Sequence, residues 1–279
     1  MILTLHLYFI ITKVLLRYFI QLQYKGTGFS GWQRQPNAKT VQEFLDESLS
    51  MALREPVFTT GCGRTDAGVH ATDFYAHFDL NAPIEDEKLA LLRSNGILGN
   101  DVNVSRFIKV SNEAHARFDA ISRSYIYQII RKPNPFLSEY AWLIFNDLNL
   151  EKMNEAASYL LGKKEFDCFC KAGGNNKTTI CEVTEAYFET HGNLWRFHIS
   201  ADRFLRNMVR AIVGTLIEVG RENLSLAQFQ HLIDTGTRSD AGVSAPAKAL
   251  FLSCVAYPTE IIPQSNQKQI PELIPFNNE

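Results

Sequence analysis

Apolar and polar residues alternate along the chain in two rhythms, one typical of strands and the other of helices. In RYFIQLQY every second residue from Tyr18 to Tyr24 is apolar or aromatic, which predicts a half-buried strand. In TVQEFLDESLSMAL the apolar residues recur at helical spacing, and Thr40 with Glu43 forms a capping box at the start of this predicted helix. ATDFYAHFDL then predicts a strand, PIEDEKLALLRSNG a helix and VNVSRFIKV a strand. Together they predict an α+β unit.

The second half of the chain repeats this order of elements. SRSYIYQIIRK predicts a strand, NLEKMNEAASYLLG a helix, and ICEVTEAYFET and LWRFHISA a pair of strands. FLRNMVRAIVGTLIEVG and SLAQFQHLIDTG predict two more helices, the latter with a second capping box, and ALFLSCVAY predicts a buried closing strand. Helices separated by strand pairs are typical of α+β layers. We predict two similar domains, 17–112 and 113–258, each a mainly antiparallel sheet covered by helices, and a polar tail over 259–279.

Two features bear on the cellular compartment. Residues 1–16 are apolar, but they lack the basic start and the small-residue cleavage site of a signal peptide and are too short to span a membrane comfortably. We predict that they are a dispensable extension. The five cysteines are odd in number and include no C-x-x-C pair, which supports neither a disulfide framework nor a zinc ribbon. Free thiols in a reducing cytoplasm are expected, with no membrane association.

The charge of the whole chain gives no case for nucleic-acid binding. The net charge is −2 at pH 7 and the sequence pI is about 6.4, so such a function must rest on local clusters. Basic and aromatic side chains do occur in groups, which are suited to phosphate binding and base stacking. These residues are Trp32, Gln33, Arg34, Arg64, Arg117, Arg123, Arg131, Lys132, Lys163, Lys164, Lys171 and Lys177. Each group alone is a weak signal, because charged faces are usually just solvated.

The segment GCGRTDAGVHA, residues 61–71, is the strongest candidate for a site. Its small residues allow sharp turns and the close approach of another surface. They surround an acid, Asp66, that lies two positions after a base, Arg64. An arginine and an aspartate inside such a loop indicate a site rather than a simple turn.

The predicted helix in RFLRNMVRAIVG carries polar residues on an otherwise apolar surface. At helical spacing, Arg203, Asn207, Arg210 and Gly214 share one narrow stripe. A solvated stripe is the ordinary explanation, but the apolar residues around it leave little width for solvent. A buried arginine without a partner is costly. Asp66, which also lies among small apolar residues, is the partner that we predict for an arginine of this helix.

Two other patterns are compatible with different chemistry. Asp66, His70, Asp73 and His77 carry carboxylate and imidazole groups, which are common metal ligands. The first two lie in a predicted loop and the last two along a predicted strand, so convergence on one ion does not follow, and we predict no metal site. The Gly-rich KAGGNN could cradle a phosphate, but it lacks the G-K-[ST] ending and the following helix of a P-loop.

Several segments between about residue 17 and residue 257 resemble, in their order, the tRNA pseudouridine synthase A family. GCGRTDAGVHA resembles the family's aspartate motif, YKGTGFSGWQRQPNAKTVQ its opening segment, HARFDAISRSYIYQI its tyrosine motif, RFLRNMVRAIVGTLIEVG its arginine motif and SAPAKALFL its closing segment. The departures are mild. Cys62 stands where a small residue is usual, Asp119 where serine is common, and AKAL where His-Gly is common before the leucine. They concern the detail of the substrate pocket rather than the chemistry.

The resemblance implies isomerisation of uridine to pseudouridine at positions 38, 39 and 40 of the tRNA anticodon stem-loop. It implies Asp66 as nucleophile, Tyr125 and Arg210 as further catalytic residues, an RNA-binding cleft between two domains, and a cytoplasmic homodimer. No metal or organic cofactor is implied. The small residues would let a flipped nucleotide approach the loop, and Arg64 would fill the gap that it leaves. The residues expected to bind RNA are Arg64, Tyr125, Arg203, Arg206, Lys171, Trp32, Gln33 and Leu250.

Two other function classes are compatible with the sequence. A non-catalytic RNA chaperone of the same fold would keep the basic cleft but would not require a pair between Asp66 and Arg210. A metal-dependent hydrolase would use Asp66 with His70, Asp73 and His77. Sensitivity to a chelator would distinguish the hydrolase from a pseudouridine synthase.

Overall fold

One β-sheet runs through the computed structural model, which describes residues 15–171, 173 and 177–263. Its strands are β1 (Leu16–Tyr24), β2 (Thr60–Gly61), β3 (His70–Leu80), β4 (Val102–Lys109), β5 (Ser122–Ile130), β6 (Trp142–Leu143), β7 (Gly162–Glu165), β8 (Ile180–His191), β9 (Leu194–Ala201) and β10 (Leu250–Ala256). The helices are α1 (Val41–Leu53), α2 (Glu87–Leu98), α3 (Leu150–Ser158), α4 (Met208–Gly220) and α5 (Leu226–Thr235). Residues 1–14 of the predicted extension, most of the KAGGNN loop and residues 264–279 of the predicted tail lie outside the described residues.

The sheet is continuous across the two halves of the chain. Its strand order is β4-β1-β3-β10-β5-β9-β8-β7, with β2 beside β3 and β6 beside β5. Pairing is antiparallel except between β5 and β6 and between β3 and β10, so the predicted α+β class is confirmed. The sheets predicted for the two halves meet because β10 pairs with β5 on one edge and with β3 on the other. The β3 contact consists of two residue pairs, Phe251 with His70 and Leu252 with Ala71.

Among the described residues, two large hydrophobic cores lie along this sheet, one mainly for each half, beside a small cluster around Leu137. In the N-terminal half, α1 packs on α2 and α2 packs on β4. In the C-terminal half, α3 packs on α4, α5 and β8. Tyr125 of β5 packs against both cores, whereas β10 gives Leu250 to the C-terminal core and Leu252 to the N-terminal one. Tyr125 and β10 therefore mark the seam between the halves, and the division at residue 112 stays a prediction.

β1 is buried on both faces rather than on one. Phe19 and Ile20 point to opposite sides of the strand, and both are fully buried. The Phe19 ring stacks on His77 with centroids 6.1 Å apart and meets Tyr257 edge-on at 5.4 Å. The prediction of a half-buried strand is wrong, because the segment after β10 covers the face that the alternation left open.

The predicted capping side chains are found at two helix starts. The Thr40 hydroxyl accepts a hydrogen bond from the Glu43 amide at the start of α1. At the start of α5, both hydrogen bonds of the capping box between Ser225 and Gln228 are present. Both start positions are therefore confirmed, and the full capping box is confirmed for α5, whereas for α1 only the bond to the Thr40 hydroxyl is described.

α4 begins later than the pattern FLRNMVRAIVGTLIEVG predicts. The residue before its first turn, Asn207, adopts a left-handed conformation with φ of 63°, which asparagine tolerates better than most residues. The chain therefore turns at Asn207 and becomes helical at Met208. Arg203 and Asn207 precede the helix, and the predicted four-residue stripe is wrong, since only Arg210 and Gly214 of the four lie on α4.

Candidate active site

The loop between β2 and β3, residues 62–69, carries Asp66 and is called the Asp66 loop below. Backbone hydrogen bonds fix the part of it that leads into Asp66. The Cys62 amide donates to the Tyr75 carbonyl at 2.7 Å, and the Trp32 amide donates to the Thr65 carbonyl at 3.2 Å. The carboxylate is thus presented from a backbone that two neighbouring segments hold in place.

The glycines here permit close packing against the segment that carries Trp32. A side chain at Gly61 would come within 2.5 Å of the Trp32 indole. One at Gly31, which has φ of 94°, would come within 2.6 Å of the Thr65 carbonyl oxygen. Gly63 differs, since no atom lies within 4 Å of the place its side chain would take. The space beside Gly63 is therefore open, whereas protein occupies the space at Gly61.

Arg210, in the first turn of α4, pairs with Asp66 and so joins the two halves of the molecule. Its Nη1 lies 3.3 Å from Asp66 Oδ2, and its Nε donates to the Ala245 carbonyl at 2.7 Å. The Arg210 and Asp66 side chains are 22% and 30% exposed, so the pair is partly desolvated but open to solvent. The predicted pairing of Asp66 with an arginine of this segment is confirmed.

Tyr125 lies on β5 near this pair. It stands opposite Leu252 of β10 and Ile199 of β9, and its ring meets Phe204 edge-on at 5.1 Å. Burial raises the pKa of the Tyr125 phenol, and the negative charge of nearby Asp66 raises it further. The phenol is therefore protonated at neutral pH.

Two residues predicted to contact RNA belong to the core. Trp32 is 1% exposed, and its indole stacks on the Phe74 ring with centroids 4.1 Å apart. Leu250 is 5% exposed and is part of the C-terminal core. The prediction of direct RNA contact is wrong for both, because neither side chain can reach a base without leaving its core. Trp32 instead supports the backbone of the Asp66 loop.

The other predicted RNA contacts reach solvent. Arg64, Arg206, Lys171 and Gln33 are exposed, and Arg203 is half-buried. Arg206 and Lys171 are neighbours, since the Lys171 amide donates to the Arg206 carbonyl at 3.1 Å. Their roles in RNA binding stay predictions.

Four arginines, called the arginine cluster below, come together beside the Asp66 loop: Arg64, Arg117, Arg123 and Arg203. Burial lowers the pKa of Arg117, and the positive charges of the other three lower it further, so the four are close enough to repel one another. Arg123 is committed to the protein, because its guanidinium donates to four carbonyl oxygens at 2.6–3.0 Å. Those oxygens belong to Cys62, Arg117, Ala120 and Asp202. Arg123 therefore braces the cluster, whereas its place in the sequence suggested phosphate binding.

A basic cavity of about 580 Å³ adjoins Arg210 on α4. Lys171, Asn207 and Arg238 also line it, and none of its described lining residues is acidic. The Arg238 guanidinium and the Asn207 amide both donate to the Ser244 hydroxyl, at 2.8 and 2.6 Å. The sequence did not point to Arg238, because the apolar residues around it do not recur at the spacing of a helix or a strand. The cavity suits an anion such as a phosphate.

The residues of the alternative metal site are not brought together. His70 Nδ1 accepts a hydrogen bond from the Gly26 amide and His77 Nδ1 accepts one from the Ala116 amide, both at 3.1 Å. The Asp73 carboxylate accepts bonds from a glutamine side chain at 2.6 Å and a backbone amide at 3.0 Å. In the part of the chain that the structure describes, no three potential metal ligands converge. These side chains brace the fold instead.

Comparison with known proteins gives this site a context. The family model described as tRNA pseudouridine synthase matches residues 156–258. A tRNA pseudouridine synthase A of Parabacteroides distasonis is 47% identical over 247 residues, which is 88% of this chain and 98% of the relative. This chain belongs to the tRNA pseudouridine synthase A family. The resemblance inferred from the motifs is thereby confirmed. The predicted enzyme class, an isomerase, is also confirmed, because pseudouridine synthases are isomerases.

Other relatives in the tRNA pseudouridine synthase A family give the same picture. That of Porphyromonas gingivalis is 46% identical over 248 residues, 88% of this chain and 98% of its own length. A tRNA pseudouridine synthase A 2 of Clostridium perfringens is 37% identical over 242 residues, 85% of this chain and 98% of its own length. Separately, no helix among the described residues is long and apolar enough to cross a membrane.

Acidification from about pH 6.5 to pH 4 is expected to destabilise this family member through His77. Burial lowers the pKa of His77 to about 4 in the folded protein, against about 6.5 in an unfolded chain. The unfolded state therefore binds more protons in this range, and the free energy of unfolding falls as the pH falls through it. At pH 5 the loss from this residue is about 2 kcal/mol.

Urea unfolding of the wild type and of His77→Gln at pH 7 and pH 5 measures this loss. The decrease in stability between the two pH values should be smaller in the variant by about 2 kcal/mol. Replacing the exposed His231 by glutamine is the control and should leave the wild-type decrease unchanged. Equal decreases in the wild type and in His77→Gln would show that His77 is not held neutral.

Proposed function

We propose that this protein isomerises uridine to pseudouridine at positions 38, 39 and 40 of the tRNA anticodon stem-loop, with Asp66 as nucleophile. The observation that carries the proposal is the Asp66–Arg210 ion pair at 3.3 Å, in a partly open loop near Tyr125 and the arginine cluster. The names of the relatives support tRNA as the substrate. We propose further that the enzyme is a cytoplasmic homodimer and binds RNA in a cleft between residues 17–112 and 113–258.

The reaction moves uracil from a carbon–nitrogen bond to a carbon–carbon bond. The bond between uracil N1 and ribose C1′ breaks, a bond between C5 and C1′ forms, and C5 loses a proton while N1 gains one. There is no net redox change, so the balance requires no cofactor. A carboxylate suits the task, because it can bond to the sugar or to the base ring and hold one fragment while the uracil turns.

Arg210 positions the nucleophile in this proposal. Its Nε is anchored on the Ala245 carbonyl, which aims Nη1 at one oxygen of Asp66. A guanidinium held at two points has little freedom to rotate, so the carboxylate is presented in one orientation. A non-catalytic RNA chaperone would have no use for this arrangement.

Tyr125 is proposed to stack on the uracil, to release its own phenol proton to water, and then as the phenolate to accept the proton from C5. In the free protein, the Asp66 charge adds to the raised pKa of the phenol. If Asp66 bonds to the base ring, it is still covalently bound when C5 loses its proton, so that its charge is neutralised and its part of the shift is absent. On that route the Asp66 charge no longer opposes loss of the phenol proton, and it is mainly burial that keeps the pKa of Tyr125 raised.

The RNA contacts in this proposal lie on both chain segments that form the ion pair. Arg64, two positions before Asp66, belongs to the arginine cluster, and Arg210 lines the basic cavity with Lys171 and Arg238. Positive groups on both segments suit the phosphates that flank one nucleotide. The target has to leave the helical stack before attack, and the exposed Arg64 is suited to fill the gap that it leaves.

Deletion of the gene tests the proposed function. The tRNA of the deletion strain should carry uridine in place of pseudouridine at positions 38, 39 and 40, and expression of the wild-type gene should restore the modification. Pseudouridine-specific sequencing of the anticodon stem-loop is the measurement. Unchanged pseudouridine at all three positions in the deletion strain would contradict the proposal.

A further inference from the structure

We propose that Phe118 is a stacking platform for a base of the substrate RNA close to the target uridine. The inference rests on the proposed function and extends it to a residue that no step above uses. Phe118 is 74% exposed, and leaving a phenylalanine ring in water forfeits the free energy of its burial. A ring displayed in this way, on a rigid segment beside positive charge, is suited to bind a planar partner.

The turn that carries Phe118 is held by its own hydrogen bonds. The Arg117 and Phe118 amides both donate to His115 Nδ1, at 3.1 and 3.3 Å. The His115 amide donates to Asp119 Oδ2 at 2.7 Å, and the Asp119 amide donates back to the His115 carbonyl at 3.1 Å. The His115 imidazole lies against the Phe118 ring with centroids 4.2 Å apart. Asp119, where the family commonly has serine, thus helps to fix the ring.

Three buried or half-buried side chains tie this turn to the body of the protein. His77 accepts a hydrogen bond from the Ala116 amide, and the Tyr257 hydroxyl donates to the Ala116 carbonyl. The Arg123 guanidinium donates to the Arg117 carbonyl at 2.6 Å. Phe118 is therefore displayed from a fixed backbone, so little conformational entropy is lost when a partner stacks on it.

The charge around the ring matches RNA. The Arg117 guanidinium lies 5.8 Å from the centroid of the Phe118 ring, and Arg64, Arg123 and Arg203 are near Arg117. Two carboxylates are also close, but Asp119 accepts the His115 amide and Asp202 accepts two backbone amides. An aromatic ring beside arginines is the usual way in which proteins bind unpaired nucleotides, with the ring under a base and the arginines on phosphates.

The platform is joined to the Asp66 loop by one side chain. The guanidinium that holds the Arg117 carbonyl also donates to the Cys62 carbonyl at 3.0 Å, and Cys62 lies at the start of that loop. Arg123 thus fixes the distance between Phe118 and the nucleophile. A base stacked on Phe118 would belong to a nucleotide close to the target.

Matched variants test the platform through tRNA binding. Phe118→Leu keeps an apolar side chain but removes the ring, and Phe118→Trp keeps a ring. Phe145 provides the control, because it is 70% exposed and follows β6, which pairs with the end of β5 remote from Arg123. We expect Phe118→Leu to raise Kd and KM for tRNA about tenfold, with kcat at saturating tRNA nearly unchanged. Phe118→Trp should bind like the wild type, and so should Phe145→Leu.

Two further readouts separate stacking from a structural or purely electrostatic role. Stacking releases no counterions, so Phe118→Leu should weaken binding by the same factor at low and high salt, whereas Arg117→Ala should reduce the salt slope by about one. Tryptophan emission added by Phe118→Trp should be quenched by tRNA, and that added by Phe145→Trp should not.

The platform is overturned if the wild type is active and Phe118→Leu has an unchanged KM for tRNA. It is also overturned if Phe118→Trp binds tRNA as weakly as Phe118→Leu. A wild type inactive on tRNA overturns the proposed function instead.

Discussion

Replacing Asp66 by asparagine is expected to abolish pseudouridine formation while leaving the fold and the affinity for tRNA largely intact. The amide keeps the shape of the carboxylate, but it cannot form the covalent bond that holds a substrate fragment. Arg210 makes its one described salt bridge with Asp66, so no second carboxylate is in position to take over. Because the pair is partly exposed, its loss costs about 1 kcal/mol, which leaves the variant folded.

Release of tritium from C5 of labelled uridine in tRNA measures this loss of activity. Asp79→Asn is the matched control, since Asp79 also pairs with an arginine, Arg17, at 2.8 Å and is likewise 30% exposed. Asp79 lies at the other end of β3 from the Asp66 loop, so its variant should lose a similar amount of stability and keep full activity. Appreciable tritium release from Asp66→Asn would contradict the mechanism, as would loss of wild-type release on addition of a chelator.

Replacing Tyr125 by phenylalanine is expected to lower kcat by about 100-fold or more, because the oxygen that would accept the C5 proton as the phenolate is removed. The ring remains, so stacking on the uracil and the affinity for tRNA should be close to those of the wild type. Tyr125→Ala should impair both kcat and binding, since the contact with Phe204 and the stacking surface are lost together.

Single-turnover rates and tRNA affinities of the Tyr125 variants separate these effects. Tyr127→Phe is the control on the same strand, because it also loses a tyrosine hydroxyl. That hydroxyl donates to the Pro246 carbonyl at 3.0 Å, so its loss should cost about 1 kcal/mol of stability with little change in rate. A Tyr125→Phe variant as fast as the wild type would exclude proton transfer by Tyr125.

Features with a local cause could be predicted from the sequence. The alternation in ATDFYAHFDL corresponds to β3, and the capping box of Ser225 with Gln228 opens α5, because period and capping depend on near neighbours. The Asp66–Arg210 pair spans 144 positions, yet it was predictable, since an arginine on an apolar helix requires a partner. The cost of leaving a buried arginine without a partner can therefore predict a contact that no local sequence pattern encodes.

The errors arose where a contact depends on a distant or special backbone. Trp32 lies among polar residues in the sequence, which predicts a surface position. Because Gly61 has no side chain, however, the Trp32 indole packs against its backbone. The start of α4 depends on the left-handed conformation of Asn207, which no period encodes. The roles of Arg238 and Phe118 arise only when segments from different parts of the chain meet.

The central place of β10 has a consequence for how the protein is made. The ribosome completes β3 and β5 long before Leu250–Ala256 emerges, so until then each of them has an edge without its final partner. At elongation rates of about 5–20 residues per second, the wait between β3 and β10 is on the order of ten seconds. During that time these edges are open to pairing with other nascent chains. A translation product that stops before residue 250 would therefore lack the strand that joins the two halves of the sheet. Chaperones and proteases would then act on two sheets with unpaired edges rather than on one folded domain.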